Sequence, residues 1–220
     1  MCTAAVLTAA AVLGGTVAAD TAGAATGARS GEGPAPSPSE LKAALLTPGD
    51  TGLSGADSTG GGGGVGGDGI SGCPALVKVL EAPPGAGTQE ADFSGGQTGP
   101  LLSEELTAGT SAKEGAVYAR AKAALTSCRD LTLTEGGTRL ALTLKPIHFG
   151  GGESTATRME GKLSGVQVNG YMAFGRVGPV LVGYTFFQIA GDSPQLASAL
   201  YQKAVDKVRH TVSTGGGTPV

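Results

Sequence analysis

The sequence predicts an α+β domain in which an antiparallel β-meander has helices packed on one face. Three observations support this prediction. Apolar and polar residues alternate over several short segments between residues 131 and 189, as they do in half-buried strands. Two segments, residues 111–127 and 194–210, instead repeat apolar residues at helical spacing. Glycine and proline punctuate these segments, so the connections are expected to be short turns.

The chain before residue 73 is predicted to contribute one short helix. Residues 39–46 place their apolar side chains on one helical face, and Pro48 ends the pattern. Residues 25–37 bury too little apolar surface to fold, which predicts a disordered tether. Glycine occupies nine of the fourteen positions in residues 59–72, which predicts a flexible glycine-rich loop.

The compact part of the domain opens at residues 73–80, which fit either a helix or a strand. Residues 89–94 and 101–106 are predicted strands. Ser111 and Glu114 have the spacing of a capping box, which predicts that a helix begins there. The apolar stripe of that helix consists of Val117, Ala121, Ala124, Leu125 and Cys128.

The strand pattern is clearest after residue 130. Leucines alternate with polar residues on both sides of Gly136 and Gly137, which predicts a β-hairpin that ends at Pro146. The alternation over residues 166–174 predicts a further strand. Asn169 followed by glycine also fits a tight turn, so the sequence leaves the register open at this point.

The end of the chain is predicted to form a central strand and a helix. Val180–Ile189 is apolar at both odd and even positions, as in a strand that is covered on both faces. Asp192 is predicted to cap the last helix, with Pro194 in its first turn. The apolar stripe of this helix runs over residues 196–208, and residues 211–220 are predicted to be a disordered tail.

The composition excludes several classes of protein. The 220 residues include 40 glycines, 15% are charged, and the formal net charge is −3. So much glycine argues against a coiled coil or a helical solenoid, and 40% hydrophobic residues are too many for a wholly disordered chain. The negative charge argues against a nucleic-acid partner. No ordinary membrane span follows the N-terminus, so membrane association is expected only through a lipid anchor.

The N-terminus predicts export. Residues 4–19 form an uncharged, alanine-rich run with small residues at two cleavage positions, so residues 1–24 are predicted to be a signal peptide. No lysine or arginine precedes the run, which implies either a start upstream of Met1 or a poor signal; an alanine-rich disordered leader is the alternative. A lipid-modified cysteine follows the apolar run, whereas Cys2 precedes it, so no anchor is assigned. The protein is predicted to be secreted or extracytoplasmic, in contact with the cell envelope.

Removal of this leader leaves two cysteines, Cys73 and Cys128. An even number of cysteines in an exported chain predicts a disulfide, and only one pairing is available. Closing a loop of this length stabilises a fold by about 4 kcal/mol. Two reduced thiols are the alternative if the chain is not exported. Neither cysteine belongs to a C-x-x-C pair, so neither zinc binding nor redox chemistry is predicted.

The motifs predict no catalysis, no metal site and no cofactor. Residues 63–70 match one copy of a calcium-binding nonapeptide, but such repeats need neighbours on which to stack. The sequence contains neither a G-x-S-x-G nucleophile elbow nor a phosphate-binding G-x-x-x-x-G-K loop. Glu104 and Glu105 are predicted to lie on a solvated surface.

The two histidines are predicted to have structural positions. His148 follows a strand and is expected to lie in a loop or at the rim of a site, with Glu153 and Asp130 as its alternative partners after folding. His210 stands near the end of the last helix, where the helix dipole favours a cation.

The aromatic residues cluster in the last strands. The first interpretation is that they form the core. The alternative is that four of them line an apolar cleft and contact a ligand. These candidate ligand-binding residues are Tyr171, Phe174, Tyr184 and Phe186.

Four parts of the chain resemble the PknH-like extracellular sensor domain of actinobacterial kinases, lipoproteins and secreted proteins. They are LKAALLTP at residues 41–48, Cys128 directly after a helix, FGRVGPVLV at residues 174–182, and the closing helix at 196–208. The resemblance covers residues 38–210. It implies an α+β sandwich outside the membrane, with a cleft for a small ligand and without catalysis. The kinase version carries two disulfides, whereas this chain can form one.

Together these observations predict an exported, non-enzymatic binding or sensor-like domain. Its ligand is expected to be a small apolar or amphipathic molecule of the cell envelope, held in a cleft. A module for protein–protein interaction or for structure in the envelope is the alternative, with an envelope protein as partner. A secreted hydrolase with a dispersed site is a remote alternative, because no nucleophile and base can be paired.

Overall fold

The computed structural model describes residues 35–56, 69–82, 87–96, 99–150 and 152–214. In this part of the chain, nine strands form one antiparallel sheet and five helices pack on it. The predicted signal peptide, the tether as far as residue 34 and residues 59–68 of the glycine-rich loop lie outside the described residues. Among the described residues, no helix has both the length and the apolar content needed to cross a membrane.

The helices are α1 (Pro38–Ala44), α2 (Pro48–Thr51), α3 (Pro74–Leu80), α4 (Ser111–Ser127) and α5 (Pro194–Thr214). The strands are β1 (Ser54–Ala56), β2 (Gly69–Ser71), β3 (Gln89–Ser94), β4 (Leu101–Ala108), β5 (Asp130–Glu135), β6 (Thr138–Ile147), β7 (Glu153–Leu163), β8 (Val166–Val177) and β9 (Val180–Ile189). They lie in the order β1-β3-β4-β9-β8-β7-β6-β5-β2. The predicted α+β class is therefore confirmed, with β5 to β9 as a continuous meander.

The helices cover the sheet in two groups. α1 and α5 pack on β3, β4, β8 and β9, whereas α4 packs on β6, β7, β8 and β9, with α3 beside it against β2. Along β8 the side chains alternate, so Tyr171 and Ala173 join the core beneath α5 while Met172 and Phe174 join the core beneath α4. The two groups lie on opposite faces of the sheet, so β8, which both α4 and α5 contact, is buried on both faces.

Glycine turns set the register of the meander. Gly136 (φ 53°) and Gly137 (φ 75°) join the paired residues Glu135 and Thr138, as a two-residue hairpin requires. The predicted hairpin is confirmed, but β6 continues through Pro146 to its end at Ile147. Proline is tolerated there because the pairing of β6 with β5 has already ended, so the missing N–H faces no strand.

The strand interpretation of Asn169 is the one that the structure adopts. The chain turns at Ser164 (φ 50°) and Gly165 (φ 84°), between the paired residues Leu163 and Val166. Asn169 therefore lies inside β8, where its Nδ2 donates a hydrogen bond to the carbonyl oxygen of Gly191 at 2.6 Å. A contact 22 residues away in sequence, not the local Asn-Gly pair, satisfies this side chain.

The predicted capping box of α4 is wrong by one residue. Thr110 is the N-cap, and its Oγ1 accepts a hydrogen bond from the backbone N–H of Lys113 at 3.2 Å. Glu114 does not stay on the surface: it is 1% exposed. A Cβ on Gly109 would collide with Glu114 Oε1, so the absent side chain at Gly109 makes room for the carboxylate.

Two boundaries also differ from the predictions. Gly69–Ser71, the end of the predicted loop, forms β2, because Ile70 pairs with Leu133 and packs against the α3–α4 core. The last helix continues to Thr214 instead of ending at residue 210, since Val212 still packs against the core one turn after Val208.

The disulfide between Cys73 and Cys128 is present, as predicted, with the two Cα atoms 5.8 Å apart. Residues 74–80, for which the sequence allowed a helix or a strand, form α3. The disulfide joins the start of α3 to the end of α4, and Cys128 is 4% exposed beneath these helices.

Candidate functional site

The candidate site is an open cleft of about 530 Å³ beside the first turns of α5. α5 packs on β8 and β9, and the cleft lies where this cover gives way to β7 and the end of β6. Its volume falls in the range of about 300–1,000 Å³ that is typical of ligand pockets. The sheet side of the cleft is lined by Ile147, His148, Phe149, Arg158 and Tyr171.

The opposite wall of the cleft is one face of α5. Its residues recur every three or four positions, which places them along a single helical stripe. Ser198 Oγ and Gln202 Nε2 both donate to the carbonyl oxygen of Phe149, at 3.3 Å and 2.5 Å, so the helix holds the loop after β6. This wall consists of Pro194, Gln195, Ser198, Ala199 and Gln202.

An aromatic cluster lies beneath the cleft. The Phe149 ring lies 5.6 Å from Tyr171, 6.4 Å from Tyr184 and 5.7 Å from Tyr201, measured between centroids. Tyr171 in turn lies 6.2 Å from Phe186. These centroid distances fall within the range of about 4.5–7 Å that is usual for interacting aromatic pairs. Phe149 lies in the segment after β6, and its signal in the sequence was an aromatic residue next to a run of glycines.

A charged network borders the cleft. Tyr171 donates its hydroxyl proton to Asp192 Oδ1 at 2.5 Å, and Arg158 Nη2 donates to Asp192 Oδ2 at 2.7 Å. Arg158 Nε lies 2.6 Å from Glu160 Oε1, and Glu160 Oε2 lies 2.5 Å from Lys145 Nζ. Desolvation, together with the hydrogen bond to Asp192, raises the pKa of Tyr171, so its phenol stays protonated.

Asp192 was predicted to cap α5, but its two carboxylate oxygens bind Tyr171 and Arg158. The network therefore ties the segment before α5 to β7 and β8. Local sequence could not reveal this role, because Arg158 is 34 residues from Asp192 and reaches it only across the folded sheet.

The structure brings three of the four predicted ligand-binding residues together. Tyr171, Tyr184 and Phe186 share the core beneath α5, and Tyr184 donates its hydroxyl proton to the carbonyl oxygen of Ala197 at 2.9 Å. Phe174 lies on the opposite face of β8, in the core beneath α4. Among the four, Tyr171 is the one that lines the cleft. Ligand contact by these residues stays a prediction.

Glu104 lies in the core, so its predicted position on a solvated surface is wrong. It is 0% exposed, and its Oε2 accepts a hydrogen bond from the backbone N–H of Leu46 at 2.7 Å. Desolvation raises the pKa of this carboxyl to about 7. Glu105 points to the other face of β4 and is exposed. The alternation of Glu104 with Leu102 and Leu106 was the signal in the sequence.

The remaining polar candidates lie apart from this core. His148 is exposed at the rim of the cleft, as predicted. His210 lies on α5, with its ring Nδ1 2.7 Å from the carbonyl oxygen of Asp206. Within the described ranges, no three His, Cys, Asp or Glu side chains are grouped as metal ligands.

No family model matches this sequence, and no curated protein matches it. The fold is similar to the crystal structure of the extracellular domain of PknH from Mycobacterium tuberculosis, with a TM-score of 0.63 and 14% sequence identity over 80% of this chain and 98% of that one. The STAR-related lipid transfer protein from Xanthomonas axonopodis has 10% identity over 60% of this chain and 97% of that one. Its TM-score of 0.27 is too low to indicate a shared fold. The chain therefore has the fold of the PknH extracellular domain, which confirms the predicted resemblance at the level of fold.

Proposed function

We propose that this protein is an extracytoplasmic binding domain that holds a small amphipathic ligand in the cleft beside α5. The observation that carries the proposal is the cleft itself. Apolar residues such as Ile147 and Ala199 line it together with the polar side chains of Gln195 and Ser198. A concave site of this kind, mostly apolar with a few polar groups, is typical of small-molecule binding.

Two further observations support a location outside the cytoplasm. The disulfide between Cys73 and Cys128 is of a type that persists in oxidising compartments. The similar structure is by its description an extracellular domain. Because fold does not determine function, the structural similarity supports only the location outside the cytoplasm. The nature of the ligand is inferred from the cleft.

The proposal does not include catalysis. In the described cleft, Tyr171 and Arg158 both bind Asp192, and His148 is exposed at the rim. The raised pKa of Tyr171 makes it a poor base near neutral pH. A binding function uses the same groups without requiring that any of them change protonation state.

Interaction with an envelope protein is the second candidate. The face of β4 and β9 turned away from α5 carries Leu101, which is 44% exposed, and the half-buried Phe187 beside it. Glu90 and Glu105 lie on the same face. This mixture of apolar and acidic groups is less apolar than the core of a stable interface, so ligand binding takes precedence.

Native mass spectrometry of the protein purified from its own cell envelope tests the proposal. We expect a retained small molecule on the wild-type protein and its loss in Ala199→Trp, because the indole would fill the cleft from an exposed position on α5. Ala123→Trp is the matched control, since Ala123 is also exposed on a helix but lies on α4. Retention of the same molecule by Ala199→Trp would place the ligand elsewhere and refute the proposal.

A further inference from the structure

We infer that the cleft selects a ligand whose polar head is uncharged and bears hydroxyl or amide groups, in preference to an anionic or cationic amphiphile. This inference rests on the proposed function, because it names the class of ligand for the same site. It follows from how the charges at the cleft are paired.

Arg158 is the one formally charged residue among the described residues that line the cleft. Its guanidinium already faces two carboxylates: Asp192 at 2.7 Å from Nη2 and Glu160 at 2.6 Å from Nε. Glu160 also pairs with Lys145 at 2.5 Å. Two positive and two negative groups thus balance within one connected network.

A charged ligand would find no spare counter-charge in this network. An anionic head would have to displace Asp192 or Glu160 from Arg158, and a cationic head would have to displace Arg158 from its carboxylates. Desolvating a charge without a partner is unfavourable, which would lower the affinity of the cleft for a charged ligand.

The neutral side chains of the cleft suit a neutral head. Gln195, Ser198 and Gln202 lie on one stripe of α5 and supply amide and hydroxyl groups. Ser198 Oγ and Gln202 Nε2 already donate to the Phe149 carbonyl, and Ser198 Oγ also accepts from Gln202 Nε2 at 3.5 Å, which fixes both side chains. The second lone pair of Ser198 Oγ and the Gln202 Oε1 can accept hydrogen bonds. Hydroxyl and amide donors on a ligand are the natural complement of such oxygens.

The test uses three detergents with the same octyl chain below their micelle concentrations: octyl glucoside, octyl sulfate and octyltrimethylammonium. Titration calorimetry on the folded, oxidised protein at pH 8 measures each dissociation constant. We expect octyl glucoside to bind at least about tenfold more tightly than either charged detergent, since each about 1.4 kcal/mol corresponds to a factor of ten. Ala199→Trp should abolish that binding.

A charge variant tests the reason for the selectivity. Glu160→Gln removes one carboxylate from Arg158 and keeps the size of the side chain, so octyl sulfate should gain at least about fivefold relative to octyl glucoside. Glu135→Gln changes the net charge equally at the exposed β5–β6 turn and should leave the ratio unchanged.

The outcomes distinguish failure of this inference from failure of the proposed function. Binding that is lost in Ala199→Trp but is tightest for octyl sulfate or octyltrimethylammonium overturns the inference and leaves the proposed cleft standing. It is also possible to separate the two when none of the three detergents binds. If the envelope-purified wild-type protein then retains a molecule that Ala199→Trp loses, this inference is overturned and the proposed function stands. Equal binding of octyl glucoside to the wild type and to Ala199→Trp contradicts the proposed site.

Discussion

Glu104 shows at the residue scale how one buried carboxyl can make stability depend on pH. Its Oε2 accepts the N–H of Leu46, while its Oε1 is buried without a partner. Desolvation is the main reason that its pKa rises from 4.5 to about 7; attraction to Lys207 acts in the opposite direction. The folded protein therefore binds this proton more tightly than the unfolded chain does.

The sign of the pH dependence follows from that difference. A group with a raised pKa in the folded state stabilises the fold below its unfolded pKa and loses that contribution as pH rises to its folded pKa. For Glu104 the window runs from about 4.5 to about 7. We expect the free energy of unfolding to fall by up to about 3 kcal/mol between pH 5 and pH 8, at about 1.4 kcal/mol per pKa unit. Asp50, whose pKa is held low mainly by its hydrogen bond with Lys207, opposes this trend only at more acidic pH.

Urea denaturation of Glu104→Gln at several pH values checks this prediction. The amide keeps an oxygen for Leu46 and has no charge to desolvate, so the variant should lose most of the decline and should be more stable than the wild type at pH 8. Glu135→Gln, at an exposed turn, should keep the wild-type decline. A Glu104→Gln profile parallel to that of the wild type would show that another group is responsible.

Phe186 provides a second prediction at this scale. It is 0% exposed in the core beneath α5, although it was also a candidate for ligand contact. Phe186→Ala should reduce the free energy of unfolding by about 3–5 kcal/mol, because it leaves a cavity in a close-packed core. Leu196→Ala, at a residue that is 39% exposed on α5, is the control and should cost less than about 1 kcal/mol. A loss that small for Phe186→Ala would instead indicate a surface that faces a ligand.

At the scale of the element, α4 tests which residue begins a helix. Thr110 accepts the Lys113 N–H, whereas the sequence pattern favoured Ser111 as the cap. Both residues have a hydroxyl group, so composition alone cannot distinguish them. Which of the two residues caps the helix depends on the position of Gly109. Gly109 packs closely against the Glu114 side chain, and its N–H donates to the Pro179 carbonyl at 3.1 Å.

Thr110→Ala should therefore destabilise the protein by about 1 kcal/mol in thermal or urea unfolding, the usual cost of losing an N-cap. Thr110→Ser retains the hydroxyl and should remain within about 0.5 kcal/mol of the wild type. If both variants are equally destabilised, the methyl group of Thr110 matters and the capping hydrogen bond does not.

At the scale of the whole molecule, one covalent link joins α3 and α4, which share the core on one face of the sheet. The disulfide connects residues 55 positions apart, and α3 makes few other contacts with the sheet. Cross-linking removes conformational freedom from the unfolded chain, so its effect should appear as global stability.

The double variant Cys73→Ala/Cys128→Ala should lose about 4 kcal/mol of unfolding free energy in the chain-entropy account. Mass spectrometry without reductant should first show the two cysteines linked in the wild-type protein. Finding both thiols open to alkylation before any reduction would contradict the disulfide. The alanine substitutions also remove the packing of the cysteine side chains. The free energy of unfolding of the wild-type protein with and without reductant is the control, because reduction breaks the disulfide and keeps both side chains.

Much of the fold was predictable from periodicity, because each strand and helix buries one face. The alternating leucines around Gly136 and Gly137 determined a hairpin, and the apolar pattern of Val180–Ile189 determined a central strand, which lies between β4 and β8. The two cysteines that remain in an exported chain predicted the disulfide between Cys73 and Cys128. Local spacing is sufficient in these cases because the interacting groups either lie close in sequence or have only one available partner.

Tertiary structure alone decided the cleft. Phe149 from a loop, Arg158 from β7 and Ser198 from α5 line it together only when the sheet positions them, since no sequence period connects residues in three separate elements. The same holds for Glu104, whose partner Leu46 is 58 residues away. Sequence specified which segments would have a face to bury; long-range packing specified which polar groups would be enclosed with them, because desolvation depends on every element that covers a side chain.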